Sequence, residues 1–169
     1  MNRKALLVNR LGLLMFLAVI AGCGKASEDE YSVQSLIKAL QSENSEVRYS
    51  AAKTLGTYGS AEGGVLPALR AAIKDPDASV RLSVVYAFSQ IGPPAAPALP
   101  ELKVALLQDV DKDVRQAAAL ALGMLGFEGR DALSALNEAV RTDRDPEVRT
   151  EAQKSVTAIQ SKIPGLTRK

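Results

Sequence analysis

The chain predicts an all-α fold, an α-solenoid of four helical-hairpin repeats, and three observations carry that expectation. The dipeptide Val-Arg recurs at Val47-Arg48, Val80-Arg81, Val114-Arg115 and Val148-Arg149, with spacings of 33, 34 and 34 residues. The same residue types surround each copy. Asn44, Asp77, Asp111 or Asp145 stands three residues before the Val, and Ser42, Asp75, Asp109 or Asp143 six before the Arg. Gly59, Gly92 or Gly126 follows the Val by twelve residues, with Gln160 there in the fourth copy. The third observation is composition: 47% hydrophobic but only 4% aromatic, with no Trp. Ala and Leu therefore carry the apolar content, and both favour helix. One short hairpin cannot bury both its apolar faces, so a period of this length implies a stack sharing one core.

Each unit reads as two helices. The first carries apolar residues at helical steps: Val33, Leu36 and Leu40; Leu66, Leu69 and Ile73; Leu99, Leu102 and Leu106; Leu133, Leu136 and Val140. The second starts at the Asn or Asp, whose side-chain oxygen satisfies backbone N–H groups that lack a partner within the helix. Pro146 follows Asp145 and suits the first helical position. The core face of the second helices is Val47, Ala51, Leu55 and Tyr58; Val80, Val84, Ala87 and Ile91; Val114, Ala118, Ala121 and Leu125; Val148, Ala152, Ser155 and Ile159. Gly59, Gly92 and Gly126 are placed to end these helices in a left-handed conformation. The expected repeats are about 31–64, 65–97, 98–131 and 132–160, followed by a tail over 161–169. The segment Gly92 to Pro97 reads as a stiff corner within the stack.

The string from Leu99 to Gly126 has the steps Asp109-x-Asp111, Val114-Arg115, Ala117-Ala118 and Leu125-Gly126. It resembles HEAT repeats of the type shared with phycobilisome-lyase proteins, and the resemblance covers residues 31–160. It implies that the Asp six residues before each Arg pairs with an Arg of a neighbouring repeat, forming a ladder. Arg48, Asp75, Arg81, Asp109, Arg115, Asp143 and Arg149 fill those places. Ser42 and Gln160 depart from the pattern at the two ends.

Residues 1–22 have the shape of a signal peptide. Arg3, Lys4 and Arg10 precede the uncharged run from Leu11 to Ala21. Eleven helical residues span about 16 Å, short of the ~30 Å hydrocarbon core of a bilayer. The junction Ile20-Ala21-Gly22-Cys23 resembles the lipobox of bacterial lipoproteins. By that resemblance Cys23 is lipidated and becomes the new N-terminus. The alternative is a plain signal peptide with an incidental Cys. Residues 23–30 then form a tether. Localisation is expected to be exported, anchored by lipid at the cell membrane. The outer membrane or periplasmic face is favoured because Gly24, not Asp, follows the Cys.

Composition excludes several functions. There is no His, hence no imidazole ligand and no Ser-His or Cys-His pair. The single Cys allows no intrachain disulfide. Without the leader's three cations the chain is close to neutral, which argues against nucleic acid. Asp109-x-Asp111-x-Asp113 opens like a calcium loop, but Val114 and Leu120 stand where Gly and Glu are needed. The glycines from Gly59 to Gly64 lack the Gly-Lys-Ser/Thr that grips phosphate. No cofactor, metal or catalytic constellation is expected.

One stretch is apolar nearly all round: Val80 to Ile91. Taking 100° per residue, Leu82, Val85 and Tyr86 lie opposite the core face, on what is the concave side of a solenoid. With Tyr49 and Leu120 from the flanking repeats they predict an apolar, partner-binding groove. The alternative is that neighbouring repeats bury most of it. The function expected is a lipid-anchored scaffold for a protein or peptide in the bacterial envelope, of unspecified oligomeric state. The alternatives are an enzyme or accessory of the lyase-like group, or a purely structural envelope lipoprotein.

Overall fold

A computed structural model of the chain describes residues 32–60 and 63–164. The leader, Cys23, the tether and residues 165–169 of the tail lie outside the described residues. Four helical hairpins follow one another: α1 (Val33–Ala39) with α2 (Ser45–Tyr58), α3 (Val65–Ala72) with α4 (Ala78–Ile91), α5 (Leu99–Gln108) with α6 (Lys112–Met124), and α7 (Leu133–Thr142) with α8 (Pro146–Gln160). There is no strand among the described residues.

The second helix of each hairpin begins where the sequence places it. The side chains of Asn44, Asp77, Asp111 and Asp145 accept from backbone N–H groups of the first turn at 2.8–2.9 Å. The first helices of the inner and last repeats have no such cap, because Gly64, Ala98 and Ala132 precede them. Two short 3₁₀ segments, Pro93–Ala98 and Gly126–Ala132, feed α5 and α7 instead. The stiff corner is thus a tight helical turn, and its counterpart recurs one repeat later without prolines. The helix-ending glycines do have positive φ. Gly59 (φ 72°, ψ −166°) and Gly92 (φ 68°, ψ −140°), however, adopt an extended form rather than the left-handed helical one. That region is essentially open only to glycine.

The second helices stack directly on one another, α2 on α4 on α6 on α8, and each first helix packs against its own partner. Small residues allow this close stacking. A Cβ added at Gly56 would lie 2.8 Å from the Cα of Ala87, and one at Gly123 would lie 2.9 Å from the Cβ of Ser155. Gly56→Val must push α4 away from α2. It is expected to cost about 1–3 kcal/mol in urea unfolding, and an unchanged midpoint would show that the helices are not held at that distance.

The core is continuous and built as expected from Leu36, Leu69, Leu102, Leu106 and Leu136 of the first helices with the Val, Ala and Leu positions of the second. Val47 is the exception. Its counterparts Val80, Val114 and Val148 are fully buried, whereas Val47 is 42% exposed. No repeat precedes it among the described residues, so one side of α2 has no helix to pack against. Phe88, absent from the expected core face, is fully buried.

Candidate interaction surface

A ladder of ion pairs runs through the stack and sets the spacing of the second helices. Arg48 grips Asp75 through Nε (2.7 Å) and Nη2 (2.8 Å). Arg81 grips Asp109 at 2.8 Å through both nitrogens, and Arg115 grips Asp143 at 2.8 and 3.1 Å. In every rung the Arg of one repeat meets the Asp of the next. The third nitrogen, Nη1, donates to two carbonyls of the Arg's own inter-helix turn, as in Arg81 to Asp75 O (2.9 Å) and Pro76 O (3.1 Å). The rung carboxylate also accepts from the backbone N–H two residues on, which tightens the turn before the cap. The pairing that the resemblance implied is therefore present in three rungs. Arg149 keeps its two carbonyls, Asp143 O at 2.8 Å and Arg144 O at 3.2 Å, but meets no carboxylate among the described residues.

These pairs are largely withdrawn from water, with side-chain exposures of 5–12% for the three arginines and 7–9% for the three aspartates. Hydrogen bonds from Arg48 hold the Asp75 carboxyl below its usual range. At Asp109 and Asp143 burial works to raise the carboxyl pKa, yet the arginine and the backbone N–H together hold it lower than usual. Each rung thus favours its ionised form, as a bidentate charge-assisted pair should.

The face of the second-helix layer that points away from the first helices carries two lines of equivalent positions. Tyr49, Leu82, Gln116 and Thr150 form one, and Lys53, Tyr86, Leu120 and Lys154 the other. Tyr86 is 46% exposed, while Tyr49, Leu82 and Leu120 are half-buried. Val85 does not join them. It is fully buried, as are Ala52 and Ala119 at the same place in the flanking repeats. That position looks toward the next second helix rather than outward. Gly56, two helical turns after Tyr49, is also buried and meets Ala87. The predicted groove is therefore narrower than the sequence implies, and Tyr86 is its one prominent apolar side chain.

A third line lies at the helix starts: Glu46, Ser79, Asp113 and Glu147, all exposed. Lys112 engages Glu147 at 3.1 Å. Neither Glu46 nor Asp113 forms a salt bridge among the described residues. The surface is thus apolar along its middle, acidic along one edge, and closed at both ends of the Tyr86 line by lysines. On the opposite layer, Arg70 donates to Glu101 Oε1 through Nε (2.9 Å) and Nη2 (2.7 Å), tying α3 to α5. The sequence has no signal for this pair, because Lys103 and Asn137 occupy the later counterparts of Arg70.

The described residues contain no group of three or more metal-ligating side chains, and none of their helices is long and apolar enough to cross a membrane. Among the described residues the second-helix face offers apolar contact at Tyr86 with exposed acids beside it.

Comparison with known proteins agrees with the geometry. The profile of HEAT repeats matches residues 33–103 and 66–157. The structure is similar to the complex of CpcE and CpcF of phycocyanin lyase from Nostoc sp. PCC7120, at 23% identity and a TM-score of 0.62, over 80% of this chain and 82% of that one. It is also similar to two engineered proteins from the Northeast Structural Genomics Consortium, each 25% identical. One has a TM-score of 0.56 over 76% of this chain, the other 0.60 over 80%. The chain spans 62% of the first engineered protein and 39% of the second, less than two thirds of either. No curated protein sequence matches it. The period, the three-rung ladder and a profile match over most of the chain agree: the chain belongs to the HEAT-repeat family.

Proposed function

We propose that the chain is a lipid-anchored scaffold that holds a protein or peptide partner in the bacterial cell envelope. The observation that supports this most directly is Tyr86. It stands 46% exposed beside half-buried Leu82 and Leu120 on a rigid helical layer. Tyrosine in such a setting is a common interface anchor, because it offers large contact area for little side-chain entropy. The free acids Glu46 and Asp113 on the adjacent edge favour a partner segment with apolar side chains along one line and basic residues beside them. Cys23, through the lipobox resemblance, supplies the membrane attachment.

A second reading is an accessory subunit of the lyase-like group. It draws on the fold likeness to CpcE and CpcF, which form a complex with each other. Purification of a colourless protein favours the scaffold.

Crosslinking in intact cells with the full chain tests the proposal. Tyr86→Ala is expected to reduce capture of the principal crosslinked protein about tenfold, with helical content unchanged. Cys23→Ser is expected to release the chain from the membrane fraction. Undiminished capture by folded Tyr86→Ala removes the interaction surface from the proposal, and undiminished membrane retention by Cys23→Ser removes the anchor.

A further inference from the structure

Among the described residues the ladder has an open rung. Arg48, Arg81 and Arg115 each use Nη1 for two carbonyls of their own turn and present Nε and Nη2 as a fork to the next repeat's Asp. Arg149 is held the same way by Asp143 O and Arg144 O. Its fork is thus pre-oriented, half-buried, and without a carboxylate among the described residues. A guanidinium fixed in this way loses little further freedom on pairing. We propose that Arg149 is a docking point for an aspartate turn in a different chain of the same repeat architecture, which adds a fourth rung to the ladder.

The three filled rungs specify the ligand. Each carboxylate belongs to an Asp-x-Asp turn at a helix start, and its Oδ1 also accepts the N–H of the second Asp at 2.9 Å. The Asp is therefore oriented by its own turn before it meets the Arg. A second copy of this chain cannot supply such a turn from its first repeat. Ser42-Glu43-Asn44 stands there. The Ser42 hydroxyl accepts the Asn44 N–H at 3.2 Å, which keeps the turn but lacks the charge. Head-to-tail stacking of identical chains is thereby disfavoured.

The end face carries a polar side chain beside the fork. Gln153 stands where Ala52, Val85 and Ala119 are fully buried in the inner repeats, and it is exposed. Docking here relies on the ion pair and polar contacts rather than on a buried apolar face, so it is reversible and weakened by salt. This inference does not depend on the Tyr86 surface.

The Nε–H signals of the arginines report it directly. In the full chain at low salt, the Arg149 Nε–H is expected to exchange with water about tenfold or more faster than those of Arg48, Arg81 and Arg115. A synthetic peptide copying residues 143–148 (Asp-Arg-Asp-Pro-Glu-Val) is then added to ~10 mM. It is expected to shift and protect the Arg149 signal alone. The same peptide with Asn at its first position leaves the signal unchanged. In Arg149→Lys, which keeps the charge but not the fork, the Arg149 signal is absent, and the peptide is expected to leave the Arg48, Arg81 and Arg115 signals unmoved without loss of helical content. Protection of Arg149 equal to the other three before any peptide is added means that the chain fills the rung itself, and the proposal fails. It fails equally if the Asp and Asn peptides act alike.

Discussion

Phe88→Ala is expected to lower the unfolding free energy by about 3–5 kcal/mol. Phe88 is a fully buried side chain at the centre of the stack, and it occupies the place of Leu55, Leu122 and Val156 in the other repeats. Second helices pack on both sides of α4, so neither end of the stack can collapse into the space the ring leaves. Phe88→Leu restores most of the volume and is expected to cost less than about 1.5 kcal/mol. The effect should also reach cooperativity. A repeat array is held together by nearest-neighbour interfaces, and a cavity in the second repeat weakens two of them together. Urea unfolding followed by circular dichroism should show a lower midpoint and a broader transition for Phe88→Ala. A loss no larger than that of Val156→Ala, in the last repeat, would mean that the interior is not the single continuous core described above.

Asp109→Ala is expected to cost about 3 kcal/mol. Its partner Arg81 has a side chain only 12% exposed, and the variant leaves that cation without its carboxylate. The paired variant Arg81→Met with Asp109→Ala should recover part of the loss, because no uncompensated charge remains. If the two single changes simply add, the rung is not acting as a pair. The same geometry sets the pH response. The carboxyl groups of Asp75, Asp109 and Asp143 are held below the ordinary aspartate value near 3.8. A group depressed on folding stabilises the fold above its unfolded value, and that stabilisation disappears as pH falls through the lower folded value. The ladder should therefore be fully effective at neutral pH and fail only in acid. Between about pH 4 and pH 2, Asp109→Ala should lose less stability than the unaltered chain.

The ladder also illustrates how much of this protein is legible in one dimension. The rung residues were found because they repeat, and their pairing followed from a family resemblance rather than from spacing. Arg149 aligns with the other arginines, but nothing in the chain's order says that its fork meets no carboxylate among the described residues. Phe88 was legible in principle, since moving Leu55 forward by one period lands on it. Helical arithmetic started from Val80 instead selects Ala87, its neighbour, and both prove to be buried. The stripe of outward residues was half legible. Tyr86 points to solvent as expected, while Val85, one residue away, is covered by the next repeat. The pair Arg70–Glu101 was not legible, because it occurs once and breaks the period.

The sequence by itself determined the four hairpins, their order, the Asn and Asp caps, the glycine ends and the register of every repeat. These are local or periodic properties. A cap acts within one turn of backbone, a positive φ belongs to one residue, and a shared period places equivalent residues in equivalent surroundings. Only the tertiary structure decided which side of each second helix is covered by the repeat that follows. A helix of 3.6 residues per turn assigns a direction to each side chain, but whether that direction meets a neighbour or water depends on how closely and at what rotation the hairpins stack. That rotation buries Val85 and leaves Tyr86 in solvent. The end of the stack, with no further helix among the described residues to cover it, leaves Val47 exposed and the Arg149 fork open.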